Sequence, residues 1–373
     1  MKVLIVSPLF PPEIGGPSTY IVPLAKGLAS KGHSVKVITL ANGHPEEKFG
    51  LEVFSVLHGD AMPVRETRLL KSILSMGKGS DVIYALDVAA IGMQCVLAGK
   101  ILGKPVVVRY AGDTAWEKAR RQGASSKGIE EFLAKPDANH WIVDLEKFVL
   151  GSSAAVIAPS KYLKRVLIDS MGIDGGKVFA INNAIEEVAP AGGRERRAIA
   201  YGRFVPWKHF GRVIEAFAGL PEEKLVIVGE GPLKDELEGM ASGKQNVSIL
   251  GKMPHKELMA ALSGSEMFVL NSSYEGMAHS ILEAFAAGTP VIASDIEPNR
   301  ELITDGENGL LVPLEPREKN IGGMRKAVGR LRDRGFAARI AENARSKLGE
   351  HSWEGVLGET ESVLANAGKK PAH

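Results

Sequence analysis

Hydrophobic positions along the first half of the chain form short continuous runs, separated by stretches with helical spacing. The apolar, β-branched runs are residues 3–7, 35–39, 53–56, 82–84, 106–109, 155–158 and 178–181. Runs of this kind predict strands that are covered by helices on both faces. Helical patterns such as residues 19–31 and 69–76 fall between them. This alternation is typical of a doubly wound, parallel α/β sheet.

The pattern pauses at residues 186–197, which are rich in Glu, Pro, Ala, Gly and Arg and have no apolar periodicity. We interpret this stretch as an interdomain linker. Apolar runs then return at residues 199–201, 225–228, 247–250, 267–270 and 291–293, and only helical patterns follow residue 312. The sequence thus predicts two Rossmann-like domains, 1–185 and 186–350, with a terminal helix 353–367 that crosses back to the first.

The amino-acid composition limits the classes of function that this protein can have. The 373 residues carry 46 basic and 44 acidic side chains, so no strong positive field indicates a nucleic-acid partner. The single cysteine, Cys95, excludes an intrachain disulfide and is typical of a reducing compartment. The first apolar run is too short for a secretory signal, and we expect a cytoplasmic protein. If the two domains face each other, their strand ends meet at a cleft where ligands bind.

The most informative stretch is residues 271–290, directly after an apolar run. Gly276 permits a tight turn, and residues 278–287 combine good helix formers with an apolar face. A helix that begins at the carboxyl end of a strand offers free N–H groups and a positive dipole end to an anion. Glu275 precedes this helix and Glu283 lies inside it. We expect one carboxylate to reach a sugar and the other a ribose, although two such glutamates are also typical of an ordinary surface.

Two cations follow the first strand of the second half. Arg203 and Lys208 flank a proline-containing loop at the same predicted sheet edge. They can hold a pyrophosphate through charge-assisted hydrogen bonds and neutralise a departing diphosphate, a task that many enzymes give to a metal. The glycine loop 229–232 and residues 251–253 follow the next strands, where they can approach a nucleoside or form simple turns.

Together these motifs resemble glycosyltransferase family four, a family of retaining enzymes with the GT-B fold. The resemblance rests on Glu275-x7-Glu283, on Gly202-Arg203-x4-Lys208, on Gly229-Glu230-Gly231-Pro232, on residues 10–16 (Phe-Pro-Pro-Glu-Ile-Gly-Gly) and on Gly32-His33-x-Val35-x-Val37. It extends from the first strand to about residue 353.

The resemblance implies retaining transfer from a UDP-, GDP- or ADP-sugar to a hydroxyl of a glycan, lipid-linked or small-molecule acceptor, by front-face attack and without a metal or other cofactor. Glu275 would hold the sugar and Glu283 the donor ribose, with Arg203 and Lys208 on the diphosphate. The predicted donor-binding residues are Gly15, Gly16, Arg203, Lys208, Gly231, Lys252, Met253, Glu275, Gly276, Met277, Ala278, Leu282 and Glu283.

The chain departs from the family pattern at Ala111, which stands where most relatives carry a histidine near the sugar. We expect Asp113 or another polar group to take over that contact, with Asp113 as a candidate catalytic residue beside Glu275, Arg203 and Lys208. The polar stretch 116–140 is long for a connection and contains the candidate acceptor-side residues Trp116, Arg120 and Arg121. Its cations suit a phosphate-bearing acceptor, such as a lipid-linked sugar, but a solvated helix and loop explains them equally well.

Three further observations complete the prediction. Arg65, Arg68, Lys71 and Lys78 interleave with apolar residues, which predicts a basic amphipathic helix that can lie on the inner membrane surface or simply cover its own domain. No His spacing or Asp-x-Asp triplet indicates a metal, and no full Gly-x-Gly-x-x-Gly follows the first strand. A sugar-nucleotide epimerase and a non-catalytic sugar-nucleotide binder stay open as alternatives.

Overall fold

The computed structural model describes residues 1–13, 16–43, 47–57, 61–185 and 193–368, with only the backbone described at Gly16, Pro17 and Thr19. The chain divides into two compact units. Unit 1 comprises Met1–Asn182 and Trp353–His373, and unit 2 comprises Asn183–Ser352. Unit 1 is therefore built from two separate stretches of chain.

The sheet of unit 1 is parallel throughout, in the order β3-β2-β1-β4-β5-β6-β7. Its strands are β1 (Lys2–Ser7), β2 (Ser34–Ala41), β3 (Glu52–Leu57), β4 (Val82–Ala85), β5 (Val106–Arg109), β6 (Ala155–Ala158) and β7 (Val178–Ala180). Strands β4, β5 and β6 are buried at every position. This burial is the reason their sequences are continuously apolar rather than alternating.

The helices of unit 1 connect these strands, apart from the last helix, which follows unit 2 in sequence. They are α1 (Gly16–Ser30), α2 (Met62–Gly77), α3 (Gly92–Leu102), α4 (Thr114–Arg121), α5 (Ile129–Ala134), α6 (His140–Ser152), α7 (Lys161–Asp169) and α15 (Trp353–Asn366). Helix α15 packs on α1, where Gly27 leaves room for the side chain of Leu357. The rings of Tyr20 and Trp353 lie 5.5 Å apart at this contact.

The sheet of unit 2 is also parallel, in the order β10-β9-β8-β11-β12-β13. Its strands are β8 (Glu195–Tyr201), β9 (Lys224–Val228), β10 (Val247–Leu250), β11 (Ser265–Leu270), β12 (Val291–Ser294) and β13 (Leu310–Val312). The helices are α8 (Phe210–Ala218), α9 (Lys234–Ala241), α10 (His255–Ser263), α11 (His279–Ala286), α12 (Glu297–Arg300), α13 (Arg317–Leu331) and α14 (Arg334–Ser346). Hydrophobic clusters fill both faces of the sheet, one against α8 and α13 and the other against α11.

The predicted strands are present at the expected places, with differences at element ends. Strand β8 begins at Glu195, so the last three residues of the predicted linker 186–197 belong to the sheet, while residues 186–192 lie outside the described residues. Strand β13 was not predicted, although its apolar run Leu310–Val312 is as long as the predicted runs 82–84 and 291–293. Helix α2 begins seven residues before the predicted start at residue 69.

The stretch 116–140, predicted as a long polar connection, is folded. About half of it belongs to α4 and α5, and α6 begins at its last residue. Buried side chains of Trp116, Ile129 and Phe132 anchor it to the unit. This stretch is therefore part of the helical layer of unit 1.

Candidate active site

The topological switch point of the second sheet lies between β8 and β11. From these two neighbouring strands the sheet order runs outward in opposite directions, to β10 on one side and to β13 on the other. The loops that follow such strands diverge, and in open α/β sheets the gap between them is where ligands bind. Arg203 and Lys208 follow β8, and Glu275 follows β11. The fold thus brings the predicted cations and the predicted sugar-binding glutamate to one place.

An ion pair joins these two loops. Lys208 Nζ donates to Glu275 Oε1 at 2.5 Å, and both side chains are largely buried, with 16% and 11% of their surface exposed. The backbone reinforces the contact, because the amide of Ser273 donates to the carbonyl oxygen of Trp207 at 2.8 Å. Lys208 ends a short 3-10 helix, Pro206–Lys208, that directs its side chain toward Glu275.

Backbone hydrogen bonds join the glycine loop after β9 to the loop after β8. The amide of Phe204 donates to the carbonyl oxygen of Glu230 at 2.8 Å, and the amide of Leu233 donates to the carbonyl oxygen of Phe204 at 3.1 Å. Gly231 has φ +155°, and a Cβ there would lie 2.6 Å from the Phe204 carbonyl oxygen. Only glycine fits this close approach of two backbones, which holds the loop carrying Arg203 in place.

Helix α11 begins just after the turn that carries Glu275. Residues Gly276, Met277 and Ala278 lead into its first turn, where the helix dipole is positive. The amides of His279 and Ile281 donate to the carbonyl oxygens of Met277 and Ala278, each at 2.9 Å. Ala278 and Leu282 are buried in the core, which fixes the position of this helix end. The predicted phosphate-binding features therefore adjoin the Lys208–Glu275 pair.

Glu283 lies one turn into α11 with 9% of its side chain exposed. Its Oε2 accepts a hydrogen bond from the Tyr201 hydroxyl at 2.5 Å. Its Oε1 faces His255 Nδ1 at 3.8 Å and His279 Nε2 at 3.9 Å. Burial, together with the charge of Glu283, raises the pKa of Tyr201 well above its ordinary value, so this tyrosine is a neutral donor.

Lys252 and Met253 follow β10, the edge strand of the sheet. Lys252 is exposed, whereas Met253 is partly buried and packs against the core cluster that contains Leu282. Both residues thus lie at the carboxyl edge of the sheet, on the β10 side of the glycine loop.

Buried polar residues that sequence analysis did not single out support the switch-point loops. The side-chain amides of Asn271 and Asn320 exchange two hydrogen bonds of 2.9 Å, and the hydroxyl of Ser294 donates to the carbonyl oxygen of Ser272 at 2.5 Å. These bonds tie the loop after β11 to β12 and to α13. The signal in the sequence was a polar residue directly after an apolar strand.

In unit 1, Asp113 is fully buried and caps the N-terminus of α4. Its Oδ1 accepts the Trp116 amide at 2.6 Å, and its Oδ2 accepts the Tyr110 hydroxyl at 3.0 Å. Burial raises the pKa of Asp113, and burial next to Asp113 raises that of Glu146 well above its ordinary value. These contacts are those of a helix cap, and they do not support the predicted contact with the sugar. Ala111 is exposed.

The candidate acceptor-side residues differ in exposure. The Trp116 indole is 2% exposed and donates to the carbonyl oxygen of Lys127 at 3.0 Å, so it packs inside the unit. Arg120 donates to the carbonyl oxygen of Ser125 at 3.3 Å and is partly buried. Arg121 is exposed. Of the N-terminal glycines, Gly15 lies outside the described residues and Gly16 is the first residue of α1, so their contact with a donor stays a prediction.

One side of unit 1 exposes apolar and cationic side chains together. Helix α3 packs between α2 and α6. The exposed apolar side chains of these three helices are Met62, Val64, Leu97, Ile101, Trp141 and Phe148. Lys100 Nζ lies 4.9 Å from the ring centroid of Phe148, and Lys118 Nζ lies 5.8 Å from that of Trp141. We call these residues of α2, α3 and α6, together with Lys118 of α4, the helical surface.

Within the described ranges, no group of three or more His, Cys, Asp or Glu side chains is arranged to hold a metal ion. Among the helices that the structure describes, none has both the length and the hydropathy needed to cross a membrane.

Comparison with known proteins adds the decisive observation. The sequence model of the family described as Glycosyltransferase Family 4 matches residues 14–187, and that of Glycosyl transferases group 1 matches residues 182–347. The two matches overlap at residues 182–187 and together span residues 14–347. The chain belongs to glycosyltransferase family 4. It is a glycosyltransferase, and its candidate site lies in the part that matches the second model.

Similar proteins agree with this assignment. A GDP-mannose-dependent alpha-mannosyltransferase of Mycobacterium tuberculosis is 28% identical over 337 residues, which cover 84% of each chain. A glycogen synthase of the same organism is 26% identical over 410 residues, covering 98% of this chain and 95% of the relative. Both relatives thus match along most of their length.

Solved structures show the same architecture. Anabaena HepE in complex with UDP and glucose superposes with a TM-score of 0.78 at 18% identity, covering 98% of this chain and 100% of that one. Sucrose-phosphate synthase from Thermosynechococcus elongatus gives a TM-score of 0.76 at 20% identity, with 98% and 99% covered. At these identities the likeness establishes the GT-B fold of this family 4 enzyme.

Proposed function

We propose that this glycosyltransferase moves a sugar from a nucleoside-diphosphate donor to an acceptor hydroxyl, with retention of configuration and without a metal ion. One observation carries the donor assignment: Arg203, Lys208, Glu275 and the N-terminus of α11 meet at the switch point of the second sheet. This arrangement combines cations, backbone donors and a carboxylate, which are the groups that a diphosphate linked to a sugar requires.

The donor is assigned to the carboxyl edge of unit 2. Arg203 and Lys208 bind the diphosphate next to the first turn of α11, and Gly231 lets the backbone approach it closely. Glu283 binds the ribose, while Lys252 and Met253 frame the base. The donor is a UDP-, GDP- or ADP-sugar; one relative is named for GDP-mannose, and a structure of similar fold contains UDP, which supports the first two.

Each residue has a defined task in the proposed transfer. Glu275 and the amides that follow it hold the sugar, and the acceptor hydroxyl attacks the same face from which the diphosphate leaves. The departing phosphate accepts the hydroxyl proton, so no protein nucleophile is needed. Arg203 and Lys208 neutralise the charge that develops on the leaving group, and a charge-assisted hydrogen bond of this kind is worth about 1.5–3 kcal/mol.

The donor assignment is tested by calorimetry with UDP, GDP, ADP and TDP, each with and without EDTA. We expect one diphosphate to bind best and EDTA to leave its affinity unchanged. Arg203→Ala and Lys208→Ala should each weaken that binding by about 10- to 150-fold, since each removes one charge-assisted bond. Lys326→Ala is the matched control, because Lys326 is an exposed lysine of helix α13 in the same unit. Unchanged affinity in both test variants contradicts the assignment.

Measurements of turnover distinguish a transferase from the two alternatives, an epimerase and a non-catalytic binder. Glu275→Ala should lower kcat by about 10²- to 10³-fold while diphosphate affinity changes little, since the side chain acts on the sugar. An acceptor-dependent product distinguishes the transferase from an epimerase and from a non-catalytic binder. Proton NMR of the fresh product gives its anomeric configuration, and an inverted product refutes retention.

The acceptor is assigned to unit 1 as a sugar carried by a phosphate or a lipid, and the helical surface is assigned to an anionic bilayer. Trp141 is 65% exposed and Ile101 66% exposed, and Lys100 and Lys118 lie beside the exposed rings. Aromatic and aliphatic groups flanked by lysines are typical of contact with an anionic membrane interface. The enzyme would then work at the inner membrane surface.

Vesicle sedimentation tests this contact. Wild-type enzyme should bind vesicles that contain phosphatidylglycerol more strongly than neutral phosphatidylcholine vesicles, and added salt should weaken the binding. Trp141→Ala with Phe148→Ala should abolish it, whereas Phe179→Ala, which removes an exposed ring from β7, should not. Equal binding by the double variant refutes the role of the helical surface.

A further inference from the structure

Tyr201 ends β8 and lies directly before the loop that carries Arg203. Its ring is buried and packs against Phe268 of the neighbouring strand, with ring centroids 4.9 Å apart. Its hydroxyl reaches α11, where it lies 2.5 Å from Glu283 Oε2 and 3.4 Å from the carbonyl oxygen of Ser280. A hydroxyl has one proton, and the shorter contact with the carboxylate takes it.

Because of this bond, the two carboxylate oxygens of Glu283 have different roles. Oε2 is occupied by the tyrosine, inside the core. Oε1 is turned toward His255 and His279, but at 3.8 and 3.9 Å neither imidazole is within hydrogen-bonding distance. Oε1 therefore has the capacity to accept hydrogen bonds from a ligand hydroxyl, in a direction that the Tyr201 contact fixes.

We propose that Tyr201 is a positioning residue that holds Glu283 for recognition of the donor ribose, and so determines how strongly the site prefers a ribonucleotide to a 2′-deoxyribonucleotide. The inference rests on the proposed function, in which Glu283 binds the ribose. A ribose offers two hydroxyls to Oε1, whereas a 2′-deoxyribose offers one. A carboxylate that is free to rotate toward the two histidines loses this discrimination, because its oxygen no longer points to a fixed place.

The alternative is that Tyr201 only fills space at the end of β8. Tyr201→Phe distinguishes the two roles, since phenylalanine keeps the ring and its packing on Phe268 but removes the hydroxyl. A role in packing affects ribonucleotide and deoxyribonucleotide affinity equally. A role in positioning weakens binding of the ribonucleotide more than that of the deoxyribonucleotide, because the ribose has two hydroxyls that reach Oε1 and the deoxyribose has one. The ratio of the two dissociation constants is therefore the informative quantity.

The experiment measures calorimetric affinity of the full-length enzyme for UDP and 2′-deoxy-UDP and for GDP and 2′-deoxy-GDP. Wild-type enzyme should bind the preferred ribonucleotide at least about tenfold more tightly than its deoxy analogue, as expected for one bond to a charged acceptor. In Tyr201→Phe the ratio should fall to about threefold or less, because the ribonucleotide loses more affinity than its deoxy analogue. Tyr162→Phe, which removes a hydroxyl from α7 of unit 1, is the control and should keep the wild-type ratio.

A double-mutant cycle with Glu283→Gln gives a second measurement. If Tyr201 acts through Glu283, adding Tyr201→Phe to Glu283→Gln should not change the ratio further, so the effects of the two substitutions are not additive. A wild-type ratio in Tyr201→Phe, or additive effects in the double variant, overturns the inference while leaving the donor site intact. If wild-type enzyme binds none of these nucleotides, the proposed function itself fails.

Discussion

The close approach of two backbones at Gly231 gives the sharpest test of how the site is built. In Gly231→Ala the new Cβ would lie 2.6 Å from the carbonyl oxygen of Phe204 and 2.7 Å from its nitrogen, and neither backbone atom can rotate away. The value of φ, +155°, adds backbone strain of about 1–3 kcal/mol for a residue other than glycine. Overpacking costs about 1–3 kcal/mol more. We expect unit 2 to lose about 2–6 kcal/mol of stability, the sum of these two ranges.

Gly239→Ala is the matched control for this substitution. Gly239 lies in α9, eight residues away, and a Cβ there meets no atom within 4 Å. Because alanine is the better helix former, this variant should gain about 0.8–1 kcal/mol. The two variants therefore make the same chemical change at two glycines of one unit. We expect Gly231→Ala to lower the stability of the unit and Gly239→Ala to raise it.

Hydrogen exchange measured by mass spectrometry suits a chain with two units, since it reports the opening free energy of each peptide separately. Peptides from β8 and β9 should exchange faster in Gly231→Ala, while peptides from β4 in unit 1 serve as the internal reference. Diphosphate affinity should fall as well, because the displaced loop carries Arg203. Wild-type exchange in β8 and β9 together with wild-type affinity would show that the two backbones can separate at no cost, and the reasoning would be wrong.

The remaining predictions concern stability. Burial, with a neighbouring carboxylate, raises the pKa of Glu146 from 4.5, so its contribution to stability is complete below about pH 4.5 and is lost as the pH rises through the folded-state value. Glu146→Gln removes this loss, so the melting temperature of the variant minus that of wild type should increase as the pH rises from about 4.5 to 7. If this difference in melting temperature does not change with pH, the raised pKa is contradicted. Arg332→Ala removes one of the guanidinium groups on the buried Glu223 and should cost about 1–3 kcal/mol in urea unfolding. Gly27→Val should cost about 1–3 kcal/mol, because a Cβ there would lie 2.2 Å from Leu357 Cδ1, and an unchanged melting temperature would show that this leucine can move aside.

The strands could be predicted from the sequence because both sheets are buried on both faces. Ala155–Ala158 is a continuous apolar run and Val106–Arg109 is three valines followed by a buried arginine, and the bounds of both in the structure are those predicted. Strand β13 was missed, although its run of three apolar residues is as long as others that were predicted. Element type was therefore readable wherever burial imposed an uninterrupted hydrophobic run.

The internal contacts of the site were not predictable to the same degree. Lys208 and Glu275 are 67 residues apart in sequence, and Tyr201 and Glu283 are 82 apart, so their contacts depend on β8 lying beside β11. Asp113 was expected to reach a sugar, yet a polar residue in a loop gives no sign in the sequence that it is a buried cap. Motifs indicate which residues belong to a site, whereas strand order determines which of them touch.

The packing of α15 on α1 has a consequence for the order in which the protein is made. Unit 1 contains both Gly27 and Leu357, and all of Asn183–Ser352 is translated between them. On the ribosome, unit 2 can complete its sheet while α1 still lacks its partner helix. The first unit to emerge is thus the last to be completed. Nascent chains that have not yet exposed α15 would carry a folded sheet of unit 2 and an N-terminal unit with an uncovered helix face.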